Sequence, residues 1–383
     1  MTARTILIML RDVAGGGSER IAMRLAGAWS RRGRTVLVTT ATQPRASVSR
    51  PPALLQWRPP RREALGFVGF CLHLAHTIRT ERPDVVLVPG NSYTATAAVV
   101  RAMLGTACPP LVWKISNALD RTDLALPVRL VNRLWLKAQH QLFDHVVAIA
   151  SAQRGEALAY LRLPERRISL IPNPAISLDL LAEHTPPRPL AGRPPLLLGI
   201  GRLEPQKDFI TLIRAFARIA PVWPGTLMIL GEGRQRSVLD DEIRALGLGN
   251  RVTLPGHAAD VPRWLAQARA LVVSSRYEGL PSVLLEAMAC GTPVVATRCS
   301  DSVAMVMDQG ALGPLVPTGD PAALAQALHQ ALDRPADAHR LQARAAAFSL
   351  DVAAPLYLDL FDRLVLSRQA TLDAPMALTV RDG

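Results

Sequence analysis

Two carboxylates, Glu278 and Glu286, stand with seven residues between them in the segment SSRYEGLPSVLLEAMACGTPVV, 274–295. Glu278 precedes a Gly-Leu-Pro turn, whereas Glu286 lies in a run that otherwise reads as buried helix. A lone buried carboxylate is costly unless a donor reaches it. Glu286 therefore calls for either a protein donor, such as a nearby arginine, or a ligand hydroxyl. With Pro281 at the first helical position, Glu286 falls a little over one turn inside the helix, and both acids look toward one edge. A carboxylate accepts two hydroxyl hydrogen bonds at once, which matches the vicinal diol of a ribose or hexose. The backbone N–H groups of Gly279 and Leu280, at the helix start, suit a phosphate oxygen.

A second constellation is cationic. The apolar run PLLLGIG is followed by RLEPQKD, which offers Arg202 and Lys207 with Gln206 and Asp208 beside the lysine. A turn that leaves a strand and feeds a helix already favours an anion, because free N–H groups and the helix dipole point outward. Two added cations suit a diphosphate. The chain holds 41 arginines and only three lysines, which argues against compositional drift for a lysine here, although taken alone the pair reads equally as two solvated charges in a polar loop. LGEGRQR adds a further turn, Gly231 and Gly233 followed by Arg234 and Arg236, although G-x-G alone occurs at many ordinary turns. No Asp-x-Asp occurs anywhere, so no acidic pair is expected to chelate a metal on the diphosphate, and the cations take its place.

The elements that must position these groups alternate strand and helix. Apolar strands are expected at 5–10, 35–40, 84–90, 110–115 and 145–151, and a glycine-rich loop, AGGGSER, leads into a helix from about Ser18 to Arg32. A proline-dense stretch from Pro172 to Pro195, with seven prolines, reads as a linker. Beyond it the same alternation restarts, including a helix with Phe209, Leu212, Ile213, Phe216 and Ile219 on one face and another capped by Asp320 ahead of Pro321. The fold class expected is α/β, two doubly wound domains facing a central cleft, since ligands of such sheets bind beyond the strands' carboxyl ends. The stretch PLYLDLFDRLVLSR is apolar on one side and is expected to pack back on the first domain, with a frayed tail from Gln369.

Composition narrows the classes. At 383 residues, 49% hydrophobic and 20% charged, the chain is globular and long enough for two cores. Residues 1–180 hold 24 basic against 11 acidic side chains, while residues 181–383 hold 20 of each, so the whole excess of +13 sits in the first half. That asymmetry suits an anionic partner met by one domain. Seventeen aromatics and no recognised module argue against a nucleic-acid binder, and GGGSER lacks the spacing of a dinucleotide site. Four separated cysteines suggest neither disulfides nor zinc. The opening apolar run is too short for a signal peptide, and LGFVGFCLHLAHTI is too short to span a bilayer. The segment RLVNRLWLKAQHQLF, 129–143, sets Leu130, Leu134 and Trp135 among Arg129, Arg133 and Lys137, a pattern shared by interfacial helices and by ordinary surface helices with a core-facing stripe.

GRLEPQKDF, LGEGRQR, YEGLPSVLLEAMACGTPVVAT and GPLVPTGDPAALAQAL, in this order, resemble the family 4 glycosyltransferases, retaining nucleotide-sugar enzymes with the GT-B fold. GGGSER, RPDVVL, DHVVAIAS and IPNP extend the resemblance over nearly the whole chain. It implies an N-terminal acceptor-binding Rossmann-like domain over 1–180, a donor-binding one over 181–350, a returning helix over 351–368 and a tail over 369–383. It further implies that Arg202 and Lys207 hold a donor diphosphate, that Glu286 holds the ribose, and that Glu278 faces the transferred sugar, with Gly279, Leu280 and Pro281 shaping its loop. Gly231 and the backbone of 254–257 would border the nucleotide, and Gly16 and Gly17 would let the first loop approach the phosphates. Ser18, Glu19, Lys114 and Asn117 fall on the acceptor side. Relatives carry a histidine near the end of the strand at 110–115; this chain reads KISNALD, which keeps Asn117 but has no histidine. The activity implied is hexosyl or N-acetylhexosaminyl transfer from a UDP-sugar, without cofactor or metal, to a glycan or lipid-linked anionic acceptor in surface-polysaccharide synthesis. The setting implied is cytoplasmic, with peripheral contact at the inner membrane. A nucleotide-sugar epimerase on the same scaffold is the alternative.

Overall fold

The structure is a computed structural model, and it describes residues 2–12, 17–43, 53–61, 63–116, 119, 126–184, 189, 192, 194–334 and 336–373. The N-terminal sheet comprises β1 (Thr5–Leu10), β2 (Thr35–Thr40), β3 (Leu55–Arg58), β4 (Val85–Val88), β5 (Leu111–Lys114), β6 (His145–Ala148) and β7 (Ile168–Leu170). Its order is β3-β2-β1-β4-β5-β6-β7, and every pairing is parallel. Five helices accompany it: α1 (Gly17–Arg31), α2 (Phe67–Glu81), α3 (Thr94–Leu104), α4 (Leu126–Ala138) and α5 (Ser151–Leu161). Side chains alternate across each strand. Leu7 and Met9 therefore join the core under α2, α3 and α5, while Ile6 and Ile8 join the core under α1.

The short helix α6 (Leu178–Glu183) leads to the second sheet: β8 (Leu196–Ile200), β9 (Thr226–Leu230), β10 (Val252–Gly256), β11 (Ala270–Val273), β12 (Val294–Thr297) and β13 (Leu315–Val316). Its order is β10-β9-β8-β11-β12-β13, again parallel throughout. Its helices are α7 (Phe209–Ile219), α8 (Arg236–Ala245), α9 (Val261–Gln267), α10 (Ser282–Ala289), α11 (Asp301–Val306), α12 (Pro321–Asp333) and α13 (Ala338–Ala346). All five apolar positions expected to face inward on α7 are buried. Asp320 caps α12 by accepting from the N–H groups of Ala322 and Ala323, both 2.9 Å away.

The last helix, α14 (Leu350–Asp373), returns to α1. Trp29 stacks edge-on with Tyr357 and Phe361, its Nε1 donates to the Ala354 carbonyl at 3.1 Å, and Arg34 pairs with Asp362 at 2.8 Å.

Four readings of the sequence need correction. Strands β3, β7 and β13 were not anticipated; with two to four residues each, they are too short to show a period. The proline-dense linker contains α6, capped by Ser177. Helix α14 continues to Asp373, past the frayed tail expected from Gln369, and tolerates Pro355 near its start. Pro281 is the N-cap of α10 rather than its first helical residue, with extended backbone at φ −68°, ψ 118°.

Candidate active site

Three strand-end turns of the second domain meet closely. A Cβ on Gly201 would strike the Lys207 side chain, with Cε 2.8 Å away; one on Gly231 would strike the Gly201 carbonyl, and one on Gly233 the backbone of Leu203. Gly231 and Gly233 are required because backbone packs on backbone there, whereas Gly201 leaves room for the Lys207 stem. Gly231, expected beside the nucleotide, thus has a packing role: its N–H donates to the Gly256 carbonyl and ties the 254–257 segment to the same turns.

The turn at 205–207 is locked to the segment after β11. Ser274 donates to the Lys207 carbonyl at 2.8 Å, the Arg276 N–H donates to the Gln206 carbonyl, and Arg276 Nε reaches Asp208 at 3.1 Å. Asp208 adopts φ 48° to make this turn, a conformation that acidic residues tolerate better than most. The two constellations separated in sequence therefore converge: Lys207 Nζ lies 2.5 Å from Glu278 Oε1. Ser275 Oγ donates to the same oxygen at 2.8 Å, and Gln206 Nε2 donates to the other oxygen at 3.4 Å.

Arg202, in the turn just after β8, is exposed, and its guanidinium has no hydrogen bond or ion pair among the described residues. No side chain caps the N-terminus of α10, which leaves N–H groups after Gly279, Leu280 and Pro281 for an external acceptor. Cys299 lies in the field of Glu278. Burial and then that carboxylate push its thiol up to about 12, so it stays protonated and is no nucleophile at neutral pH.

Glu286, buried on α10, does not join that pair. Arg24 of α1 reaches it across the domain boundary at 3.5 Å while also donating to the Ala175 carbonyl. The arginine that the sequence left as a competing explanation is present, but its contact is long.

In the first domain, Ser18, Glu19 and Lys114 gather at the carboxyl edge of the sheet. Tyr93 donates to Glu19 Oε1 at 2.6 Å and accepts from the Arg11 N–H at 3.1 Å. Lys114, the last residue of β5, is buried, and no hydrogen bond to its ammonium occurs among the described residues. Burial brings it down to about 8, opposed by the negative charge of Glu19. Ser18 and Ser116 flank Gly90, whose absent Cβ would meet their hydroxyls at 3.5 and 3.1 Å. Asn91 pairs with Ser116 through Oδ1, which accepts the Ser116 N–H at 3.1 Å. Gly17 opens α1, and a Cβ there would meet nothing within 4 Å. Gly16 and Asn117 lie outside the described residues.

Residues 15–175 match the model described as Glycosyltransferase Family 4, and residues 194–334 match the one described as Glycosyl transferases group 1. The chain belongs to the family 4 glycosyltransferases. Two relatives from Rhizobium meliloti (strain 1021) carry the name lipopolysaccharide core biosynthesis glycosyltransferase. LpsE is 38% identical over 36% of this chain and 39% of its own length, and LpsD is 32% identical over 45% and 51%. The chain thus matches about half or less of these relatives' length. The crystal structure of Anabaena HepE in complex with UDP and glucose superposes with a TM-score of 0.73 at 19% identity, covering 94% of this chain and 99% of that one. That likeness is one of fold, and the fold is GT-B.

Within this site the reading of the sequence missed Arg24, Tyr93, Gly90 and Ser275. Tyr93 and Gly90 carried a weak signal, the turn after an apolar strand in VPGNSY; Arg24 carried none, being one of 41 arginines.

Proposed function

We propose that this glycosyltransferase moves a hexosyl or N-acetylhexosaminyl unit, with retention, from a UDP-sugar to a glycan or lipid-linked anionic acceptor in lipopolysaccharide or related surface-polysaccharide synthesis. The carrying observation is the junction of Lys207 with Glu278, beside the exposed Arg202 and the uncapped start of α10. The names of LpsE and LpsD and the UDP in the HepE complex favour this class of donor and product.

The chemistry proposed is the retaining transfer that the family resemblance implies, placed on these residues. The bond from the sugar's anomeric carbon to the diphosphate oxygen breaks, and a bond to the acceptor oxygen forms on the same face. The acceptor's proton passes to an oxygen of the departing diphosphate. Charge grows on that diphosphate, where Arg202, Lys207 and the α10 N–H groups oppose it. Glu278 holds the Lys207 ammonium in place and offers its second oxygen to sugar hydroxyls. Glu286 takes ribose hydroxyls. On the opposite wall, Ser18, Glu19 and Lys114 receive the acceptor together with Asn117, and either Lys114 or Asn117 takes over the contacts of the histidine that many relatives carry near this strand end. No metal is required in this scheme.

No described helix is long and apolar enough to cross a membrane. A lipid-linked acceptor then calls for peripheral contact at the cytoplasmic face of the inner membrane.

The test is a thermal-shift screen of UDP-, GDP- and ADP-sugars, followed by release of nucleoside diphosphate in the presence of lipopolysaccharide or lipid-linked glycan. A UDP-sugar should raise the melting temperature, and Lys207→Ala should abolish the shift. Stabilisation by none of the three overturns the reading, and an epimerised free nucleotide sugar without acceptor would convert it to the epimerase.

A further inference from the structure

Helices α2, α3 and α4 lie side by side on the outer face of the N-terminal domain. Helix α2 packs on α3, and Trp135 Nε1 of α4 donates to Thr94 Oγ1 of α3 at 3.4 Å. Their outward faces are unusually apolar. Of the 13 residues in α4 only Leu136 is buried, while Leu126, Val128, Leu130, Val131 and Leu134 are each 51–69% exposed. At the start of α2, Phe67, Val68 and Leu72 are 54–67% exposed, and Val99 of α3 stands at 38%. Single exposed apolar side chains are ordinary, but a run of them over adjacent helices marks an interaction surface.

Charge selects the occupant. The whole +13 excess belongs to residues 1–180. Arg61, Arg79 and Arg82 lie in and around α2, where Arg58 is already paired with Glu81, and Arg129 and Lys137 lie along α4. A second copy of the chain would set two strongly basic domains against each other. An anionic bilayer offers both the opposite charge and an apolar layer. We propose that the outward faces of α2, α3 and α4 seat this protein on an anionic membrane, with Leu130, Val131 and Leu134 entering beside Val68 and Leu72. Helices α2 and α4 each begin on the side where strands end, so this surface borders the edge that carries Glu19 and Lys114. A lipid-linked acceptor held in the same bilayer would then meet the acceptor wall directly. The proposal rests on the glycosyltransferase reading for its purpose alone, and its deciding readout, vesicle binding, needs neither donor nor acceptor.

The full chain is sedimented with vesicles of phosphatidylcholine and with an equimolar mixture of phosphatidylglycerol and phosphatidylcholine, at low and high salt. Wild type should sediment with the anionic vesicles only, and less at high salt. Leu130→Glu/Leu134→Glu and Val68→Glu/Leu72→Glu should each weaken partitioning by about tenfold, with unchanged melting temperature and unchanged stabilisation by the UDP-sugar. Absence of wild-type binding to anionic vesicles, or wild-type binding by both double variants, overturns the proposal. So does a dimer in solution that the α4 variant turns into a monomer, which would give the surface to a second copy.

Discussion

Lys207 and Glu278, 71 residues apart in the chain, meet at 2.5 Å where two strand-end turns of the second domain touch. The pair is mostly shielded, with side-chain exposures of 16% and 9%, and Ser275 and, at longer range, Gln206 also donate to the carboxylate. On the proposed reading a donor diphosphate shares that ammonium with Glu278, and the pair then acts as one unit. Lys207→Ala is expected to lower kcat/KM by about 10²–10³, the scale for losing one preorganised charge stabiliser. Lys207→Ala/Glu278→Gln should cost far less than the sum of the single changes. A kcat/KM within threefold of wild type for Lys207→Ala removes the assignment.

Arg24 and Glu286 form the corresponding contact across the domain boundary, at 3.5 Å. If ribose hydroxyls bind the same carboxylate, Arg24 competes with them. Glu286→Ala should weaken UDP binding by about tenfold, the loss of a charge-assisted hydrogen-bonding group. Arg24→Ala should leave UDP binding unchanged or slightly tighter. Calorimetric titration with UDP checks both, and a large loss in Arg24→Ala would make Arg24 a ligand contact instead.

Lys114 carries a pH prediction. Burial brings its ammonium to about 8, below its usual 10.5. If its charge positions the acceptor, kcat/KM should fall as pH rises through 8, and Lys114→Arg should keep activity at higher pH. Stability should move oppositely. The unfolded chain takes up this proton first as pH falls from 10.5 to 8, so folding loses stability over that window, on the order of 3 kcal/mol at neutral pH. Lys114→Met should therefore melt no lower than wild type at pH 7 while losing activity, measured by thermal unfolding beside the rate profile.

His145, buried in β6 and bonded to Ser169 at 2.9 Å, titrates at about 4, because burial and then Arg363 and Arg167 disfavour its charged form. Its usual value is 6.5. As pH falls from 6.5 toward 4, the unfolded chain binds a proton that the folded chain refuses, so stability is lost over that window. The melting temperature should drop there in wild type and less in His145→Asn.

Much of the scaffold was open to reading from residues alone. Most of the strands are apolar runs of the kind that parallel sheets bury on both faces, the edge strand β10 with its exposed Thr253 and Pro255 being different, and α7 showed its apolar face and α12 its cap. The exceptions are instructive: β3, β7 and β13 hold two to four residues, and pairing with a neighbour rather than their own pattern makes them strands. Arg202, Lys207, Glu278 and Glu286 stood out as candidates too, because charged side chains in strand-end turns or buried runs require a reason.

Their partners were not legible. Whether Glu278 meets Lys207 depends on Asp208 at positive φ and on Ser274 and Arg276 holding two distant turns together. Whether Lys114 is buried beside Glu19 depends on how the start of α1 settles against the turn after β4, where Ser18 nears Gly90 and Glu19 meets Tyr93, and nothing about a lone lysine at the end of an apolar strand reveals that. The order of residues determined the kind of elements, their succession and the chemical groups at their ends, since these follow from local periodicity and residue type. Tertiary structure alone decided which groups face each other, because burial and charge pairing act through distances that only the packed chain sets.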